Sequence, residues 1–312
     1  MDKVLKDPRK VFSECLLELG REDRKIVAVS CDSASGSGMA DFIKEFPERY
    51  VEMGISEQNA IGVCAGLAES GFIPVISAIA PFITMRCYEQ IRNDVGYSNM
   101  NVKIIGASSG LSHSTLGSTH QAVEDVCLMR SIPNITIINP GDAFEVEMAL
   151  KEAVNYYGPV YIRMPRHPME DIKDSDARSF NLGIAEELKY GEDAMIIASG
   201  TMVREAQKAS EILRLQNINV GVINIHTIKP IDTKMIEYAC RNSKMIFTVE
   251  EHSVVGGLGG AVAEVVVSLE NSVPVYILGI EEGSCNSGPY RELLESYSLT
   301  SEKLAEKIYI YF

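Results

Sequence analysis

At 312 residues the chain is long enough for two domains, each with its own core. Hydrophobic residues at 46% and charged residues at 23% describe a globular polymer rather than a disordered one. The net charge of −14 argues against nucleic acid as the main partner, because phosphate backbones need a basic surface, yet leaves room for a small anion in a local basic pocket.

The first ten residues are charged and carry no apolar h-region, so no signal peptide is expected. Residues 9–22 read as an amphipathic helix and 26–30 as a buried strand. A helix is predicted at 57–70, with Ser56 as its N-cap and Gly62, Ala65, Gly66 and Ala68 giving another backbone room to approach. A strand at 73–79 follows; the apolar run 73–83 is broken by Pro74, Ser77 and Pro81 and is too short to span a bilayer. Then come a helix at 88–95, a strand at 102–107, a helix at 121–130, a strand at 135–139, a helix at 143–155 and a strand at 160–163. Periodicity fails over 166–193 and returns with strands at 194–198, 219–224, 245–249 and 275–279, and helices at 202–216, 232–240, 259–268 and 301–309. Such alternation implies mostly parallel sheets with helices on both faces. The expected fold is α/β: two open α/β domains at 1–175 and 190–312, joined by a linker at 176–189. The seven cysteines are scattered and never in C-x-x-C spacing, which suggests neither a zinc site nor a disulfide framework. A cytoplasmic protein with reduced thiols and no membrane contact is expected.

Glu57 opens the helix at 57–70. On its own, an acid there does no more than complement the helix dipole. A long Gly/Ser/Thr loop follows the strand at 102–107 and carries His113 and His120. In open α/β sheets ligands bind beyond the strand carboxyl ends, and a loop of this length with titratable groups is commonly functional. His120 could instead cap the next helix, and His113 is equally readable as a solvated loop residue. Arg9, Arg163 and Arg166 could each reach a phosphate, although an ordinary ion pair serves Arg163 equally well. Neither a G-x-x-x-x-G-K-[ST] loop nor a dinucleotide fingerprint is present; G-G-L-G-G at 256–260 reads as a tight helix–strand packing turn.

Taken in order, these features resemble the transketolase family of thiamine-diphosphate enzymes, specifically the C-terminal subunit of a split, two-chain transketolase. The resemblance is carried by G-I-S-E-Q-N-A-I-G at 54–62, G-S-T-H-Q-A-V-E-D at 117–125 and Y-I-R-M-P-R at 161–166. V-E-E-H-S-V-V-G-G-L-G-G-A-V-A-E at 249–264 and G-S-C-N-S-G-P-Y-R-E-L-L at 283–294 complete it, so it covers essentially the whole chain. It implies a pyrimidine-binding domain followed by the transketolase C-terminal domain. Glu57 would bond the cofactor's aminopyrimidine ring, where a desolvated carboxyl can share a proton with the ring nitrogen and promote deprotonation of the thiazolium carbon. Phe82 would stack on the ring, unless a shift of one residue places Ile83 there, and Asp32 would lie near the cofactor. His120 would contact the donor's reacting oxygens, Arg9 and Arg166 would hold a sugar phosphate, and His113 would supply a further substrate contact. The implied reaction transfers a two-carbon ketol unit from a ketose phosphate to an aldose.

Where full-length transketolases carry an Asp that reads a substrate hydroxyl and a phosphate-contacting His, this chain has Leu116 and Ser108. A changed hydroxyl reader changes discrimination, which leaves an unusual or sulfonated sugar open. The family's G-D-G…N element for metal and diphosphate is also missing; Gly141-Asp142-Ala143 lacks its continuation. Magnesium is therefore expected on an N-terminal partner subunit, in a heterotetramer of two plus two that self-associates through both domains. The competing expectations are the beta subunit of a 2-oxoacid dehydrogenase, half of a deoxyxylulose-phosphate synthase, and a non-catalytic paralogue.

Overall fold

The computed structural model describes residues 5–34, 36–173, 178–283 and 286–312. The expected domain boundary at 175/176 and the Ser284-Cys285 step of the last motif lie outside the described residues.

In chain order the helices are α1 (Pro8–Glu22), α2 (Ala40–Glu45), α3 (Glu57–Glu69), α4 (Ala80–Thr84), α5 (Tyr88–Gln90), α6 (Asp125–Arg130), α7 (Ala143–Asn155), α8 (Met202–Arg214), α9 (Thr233–Asn242), α10 (Leu258–Val266), α11 (Tyr290–Ser296) and α12 (Ser301–Tyr309). Strands β1 (Ile26–Ser30), β2 (Tyr50–Glu52), β3 (Ile73–Ile79), β4 (Lys103–Ala107), β5 (Thr136–Ile138) and β6 (Val160–Met164) form the first sheet. Its order is β5-β6-β4-β3-β1-β2, all parallel. Strands β7 (Glu186–Lys189), β8 (Ala194–Ala198), β9 (Val220–Asn224), β11 (Ile246–Ser253) and β12 (Val275–Ile280) form the second, in the order β12-β11-β8-β9-β7. Only β7 runs antiparallel there. The remaining strand, β10 (Thr227–Lys229), crosses over and pairs antiparallel with β5, extending the first sheet from the second half of the chain.

Central strands alternate between two cores, as strands buried on both faces must. On β3, Ile73 and Val75 join the core under α1 and α7, while Ile76 and Ala78 join the core under α3. On β8, Ala194, Ile196 and Ala198 face the α8/α12 side, while Met195 and Ile197 face α9 and α10.

Several local expectations change. Ser56 precedes α3 but makes no side-chain cap; its Oγ donates to the Met53 carbonyl at 2.7 Å. The helix expected at 121–130 starts only at Asp125, because Ala122 exchanges two backbone hydrogen bonds with Gly110 at 2.8 and 3.1 Å. The helix expected at 88–95 is a short α5 running into a π-helical stretch, Ile91–Tyr97. A Cβ built on Gly62 or Gly66 meets nothing within 4 Å, so among the described residues nothing fills the space over these two glycines of α3. The 256–260 turn does pack tightly: Leu258 and Gly259 N–H groups donate to Glu250 at 2.6 and 2.8 Å, and a Cβ on Gly257 would collide with that carboxylate. Asp142 is fully buried, where it caps α7 through Glu145 N–H and pairs with Arg178.

Candidate active site

The candidate residues follow the carboxyl ends of the first sheet's strands, which is where a parallel sheet presents ligands to its loops. The segment after β2 leads into α3 and Glu57, α4 after β3 carries Phe82, the loop after β4 carries His113 and His120, and Arg166 follows β6. Their side chains form a continuous row. Glu57 Oε2 accepts from Arg86 Nη1 at 2.7 Å, and the Arg86 guanidinium lies 4.5 Å over the Phe82 ring. Phe82 meets His120 edge to face at 5.1 Å, and His120 meets His113 at 5.5 Å. Arg166 Nη1 closes the row 3.3 Å from His113 Nε2. Ile83 is fully buried in the core, so of the two it is Phe82 that joins the row.

The row is acidic at one end and cationic at the other. Since a guanidinium only donates, His113 Nε2 accepts from Arg166 and its proton sits on Nδ1. Burial, together with Arg166, His120, His167 and Arg9, pushes the His113 imidazole down to about 4. Arg9 thus reaches His113 electrostatically, while its own guanidinium pairs with Asp7 at 3.0 Å. Burial lowers the His167 imidazole as well; its ring stacks on Tyr290 at 4.4 Å and its Nε2 donates to the Ser112 carbonyl. His113 starts from 6.5 when unfolded, so the unfolded chain takes up the proton first. Stability attributable to His113 is complete above pH 6.5 and declines as pH falls to about 4. Urea midpoints of wild type should therefore drop more across that window than those of His113→Gln; equal drops would contradict the shift.

Asp32 lies outside the row. It is exposed, at φ 53°, and its N–H donates to Glu52 Oε1 at 2.8 Å. Glu52 gathers Gly54 N–H, Ser30 Oγ and Tyr50 Oη as well, and although burial opposes it these donors pull its carboxyl down to about 2. One carboxylate thereby fixes both the turn at Asp32 and the chain entering α3. Arg163, a candidate phosphate ligand from sequence, is instead fully structural. It pairs with buried Asp125 at 2.9 Å and donates to the carbonyls of Ala122 and Glu251. Leu116 is 52% exposed beside the histidines, and Ser108 sits buried at φ 57°.

The loop that carries both histidines is clasped from the second half of the chain. Glu251, on β11, accepts Leu111 N–H at 2.6 Å and is itself held by Thr201 Oγ1 and Tyr290 Oη. Gly110 has φ 61°, and a Cβ there would run into that carboxylate, so this position requires glycine on both counts. Arg86, His167 and Glu251 were absent from the sequence-based site. Among the described residues no group of three or more His, Cys, Asp or Glu is placed to hold a metal ion.

An acid and an aromatic on one wall, with histidines and arginine leading away, suit a flat nitrogen heterocycle beside an anionic substrate. Family models agree: "Transketolase, pyrimidine binding domain" matches residues 6–171 and "Transketolase, C-terminal domain" matches 183–304. The chain belongs to the transketolase family of thiamine-diphosphate-dependent enzymes, and it comprises these two domains. It is 40% identical over 298 residues to an apulose-4-phosphate transketolase subunit of Phocaeicola vulgatus, covering 96% of this chain and 95% of that one. It is 36% identical over 297 residues to a 6-deoxy-6-sulfo-D-fructose transketolase subunit of Clostridium sp., covering 95% and 91%. A solved structure of a split-gene transketolase, an inactive β4 tetramer, superposes with a TM-score of 0.86 at 38% identity and 97% coverage of both chains. In the described residues no helix is long and apolar enough to cross a membrane.

Proposed function

We propose that this chain is the C-terminal subunit of a thiamine-diphosphate-dependent transketolase, active when joined to an N-terminal subunit that holds the diphosphate and Mg2+. The observation that carries this reading is the unbroken row from Glu57 through Phe82 to His120, His113 and Arg166. The residues present fit the pyrimidine half of the cofactor: a carboxylate that is 4% exposed and an aromatic face beside it. When bound, the cofactor supplies the carbon nucleophile and the electron sink for cleaving a C–C bond next to a carbonyl. Glu57 then holds a proton against the ring nitrogen, and Phe82 orients the ring. Asp32, on a turn held by Glu52 beyond β1, would lie near the cofactor. His120 donates to or takes protons from the oxygens at the reacting carbons. Arg166, Arg9 and neutral His113 hold the anionic end of the sugar.

The donor is a ketose with an anionic tail and the acceptor an aldose. The sugars in the names of the two relatives, a phosphate and a sulfonate, support such a tail. With Leu116 in place of a charged hydroxyl reader, xylulose and ribose phosphates stand beside unusual or sulfonated sugars as candidate substrates. The open face of α3 around Gly62 and Gly66 is assigned to self-association, giving two copies of each subunit. The domains divide within the linker expected over 176–189, ahead of Glu186, because Glu186–Lys189 form β7 and pair with β9 in the second sheet.

Ketol transfer is measured from a panel of ketose phosphates and sulfonates to aldose phosphates, with thiamine diphosphate and Mg2+. Activity is expected only when this chain is mixed with the N-terminal subunit. Silence of the mixture on the whole panel, followed by turnover of a 2-oxoacid, would overturn the transketolase reading.

A further inference from the structure

Arg86 stands where the reaction needs something else. Its Nη1 donates to Glu57 Oε2 at 2.7 Å, and its planar guanidinium lies over the Phe82 ring at 4.5 Å. Those are the two surfaces, a carboxylate edge and an aromatic face, that the function proposed above gives to the aminopyrimidine. A guanidinium and an aminopyrimidine share the features such a site selects: a flat, delocalised nitrogen system with N–H donors in its plane. Either can satisfy the carboxylate and cover the aromatic face.

The two partners of the ion pair differ in freedom. Glu57 is 4% exposed and fixed in the first turn of α3, whereas Arg86 is 44% exposed and follows the short helix α4. Solvent is open to the arginine and closed to the glutamate, so Arg86 is the member that moves. Its departure without replacement would strand a buried carboxylate, which is strongly unfavourable. Departure is therefore tied to the arrival of another donor at Glu57.

Resting on the transketolase reading, we propose that Arg86 is a built-in placeholder. It fills the aminopyrimidine position in the cofactor-free subunit, keeps Glu57 paired there, and swings out to solvent as the cofactor seats. The device ties the acid to a counter-charge in the unassembled subunit and lowers its apparent cofactor affinity by the fraction of chains in which the place is filled.

The test is calorimetric titration of thiamine diphosphate, with Mg2+ present, into the reconstituted two-subunit complex. Wild type is compared with Arg86→Met, which keeps the length and loses the charge, and with Arg86→Lys, which keeps the charge and loses the plane. Thermal melts of the cofactor-free and loaded complexes run alongside. Removing a competitor should tighten binding by about tenfold in Arg86→Met, with Arg86→Lys between the two. The loss of melting temperature should be confined to the cofactor-free form. Should Arg86→Met fail to assemble, Arg86→Lys carries the same comparison. Unchanged or weaker binding, or an equal melting loss in both forms, would show that Arg86 stays beside Glu57 as a support and would overturn the proposal. A wild-type complex that bound no thiamine diphosphate would instead overturn the functional reading beneath it.

Discussion

Replacing Glu57 with Gln lowers turnover of the assembled complex by about 10²- to 10⁴-fold, the scale of a lost proton-transfer group. Glutamine keeps the shape of the side chain and still offers an oxygen to Arg86, so the fold has little reason to change. What it cannot do is carry a proton on and off a ring nitrogen. Initial rates in the reconstituted complex measure the loss, and gel filtration of the same sample shows that the subunits remain together. Activity within about twofold of wild type would remove Glu57 from the chemistry. A complex inactive before any substitution, yet correctly assembled and loaded, would favour the non-catalytic paralogue.

Asp125→Ala should be the most damaging single change to stability in the first domain. Asp125 is fully buried, where it accepts Tyr161 Oη at 2.6 Å and Arg163 Nε at 2.9 Å. Tyr161 and Arg163 are buried as well, and Arg163 reaches across to the Glu251 carbonyl. Deleting the carboxylate leaves a guanidinium without counter-charge in a dry interior, which costs about 3–5 kcal/mol. The cost is read from the urea midpoint at constant m-value. Asp125→Asn, which retains an acceptor for Tyr161, should lose less. An unchanged midpoint in the alanine variant would mean that water or another carboxylate takes over the pair.

Much of the architecture was legible because the central strands are predominantly apolar and long helices such as α8 and α12 keep a 3.6-residue period. The bounds of β1 and β3 are those expected, as are those of α7 and α12. Elements defined by their partners were not legible. Strands β2, β7 and β10 are three or four residues long at sheet edges, and β10 leaves its own half of the chain to pair with β5. No local pattern encodes such a crossing. For the site, motif order pointed to Glu57, Phe82 and His120, and the structure brings these into contact with each other's neighbours. Arg86 could not be found that way, because its meaning lies in reaching a carboxylate 29 positions earlier. Arg163 was left open between a phosphate contact and an ion pair for the reverse reason: its partner Asp125 lies 38 positions earlier in the chain, within a motif that had drawn attention for its histidine. Both residues take their roles from long-range contact, which composition and spacing do not carry.

The clasp at the start of the histidine loop grips main-chain atoms. Glu251 takes the amide of Leu111, Gly110 exchanges backbone bonds with Ala122, and Ser109 N–H donates to the Met164 carbonyl at 3.1 Å. None of these bonds depends on the exposed side chains that the loop displays at Thr115, Leu116 and Ser118. Substitutions there can retune sugar preference without loosening the seat of the loop. The fold thus decouples innovation from foldability, and a small library over Thr115, Leu116 and Ser118, with Gly117 kept for its φ of 72°, should yield well-folded subunits of altered selectivity at high frequency.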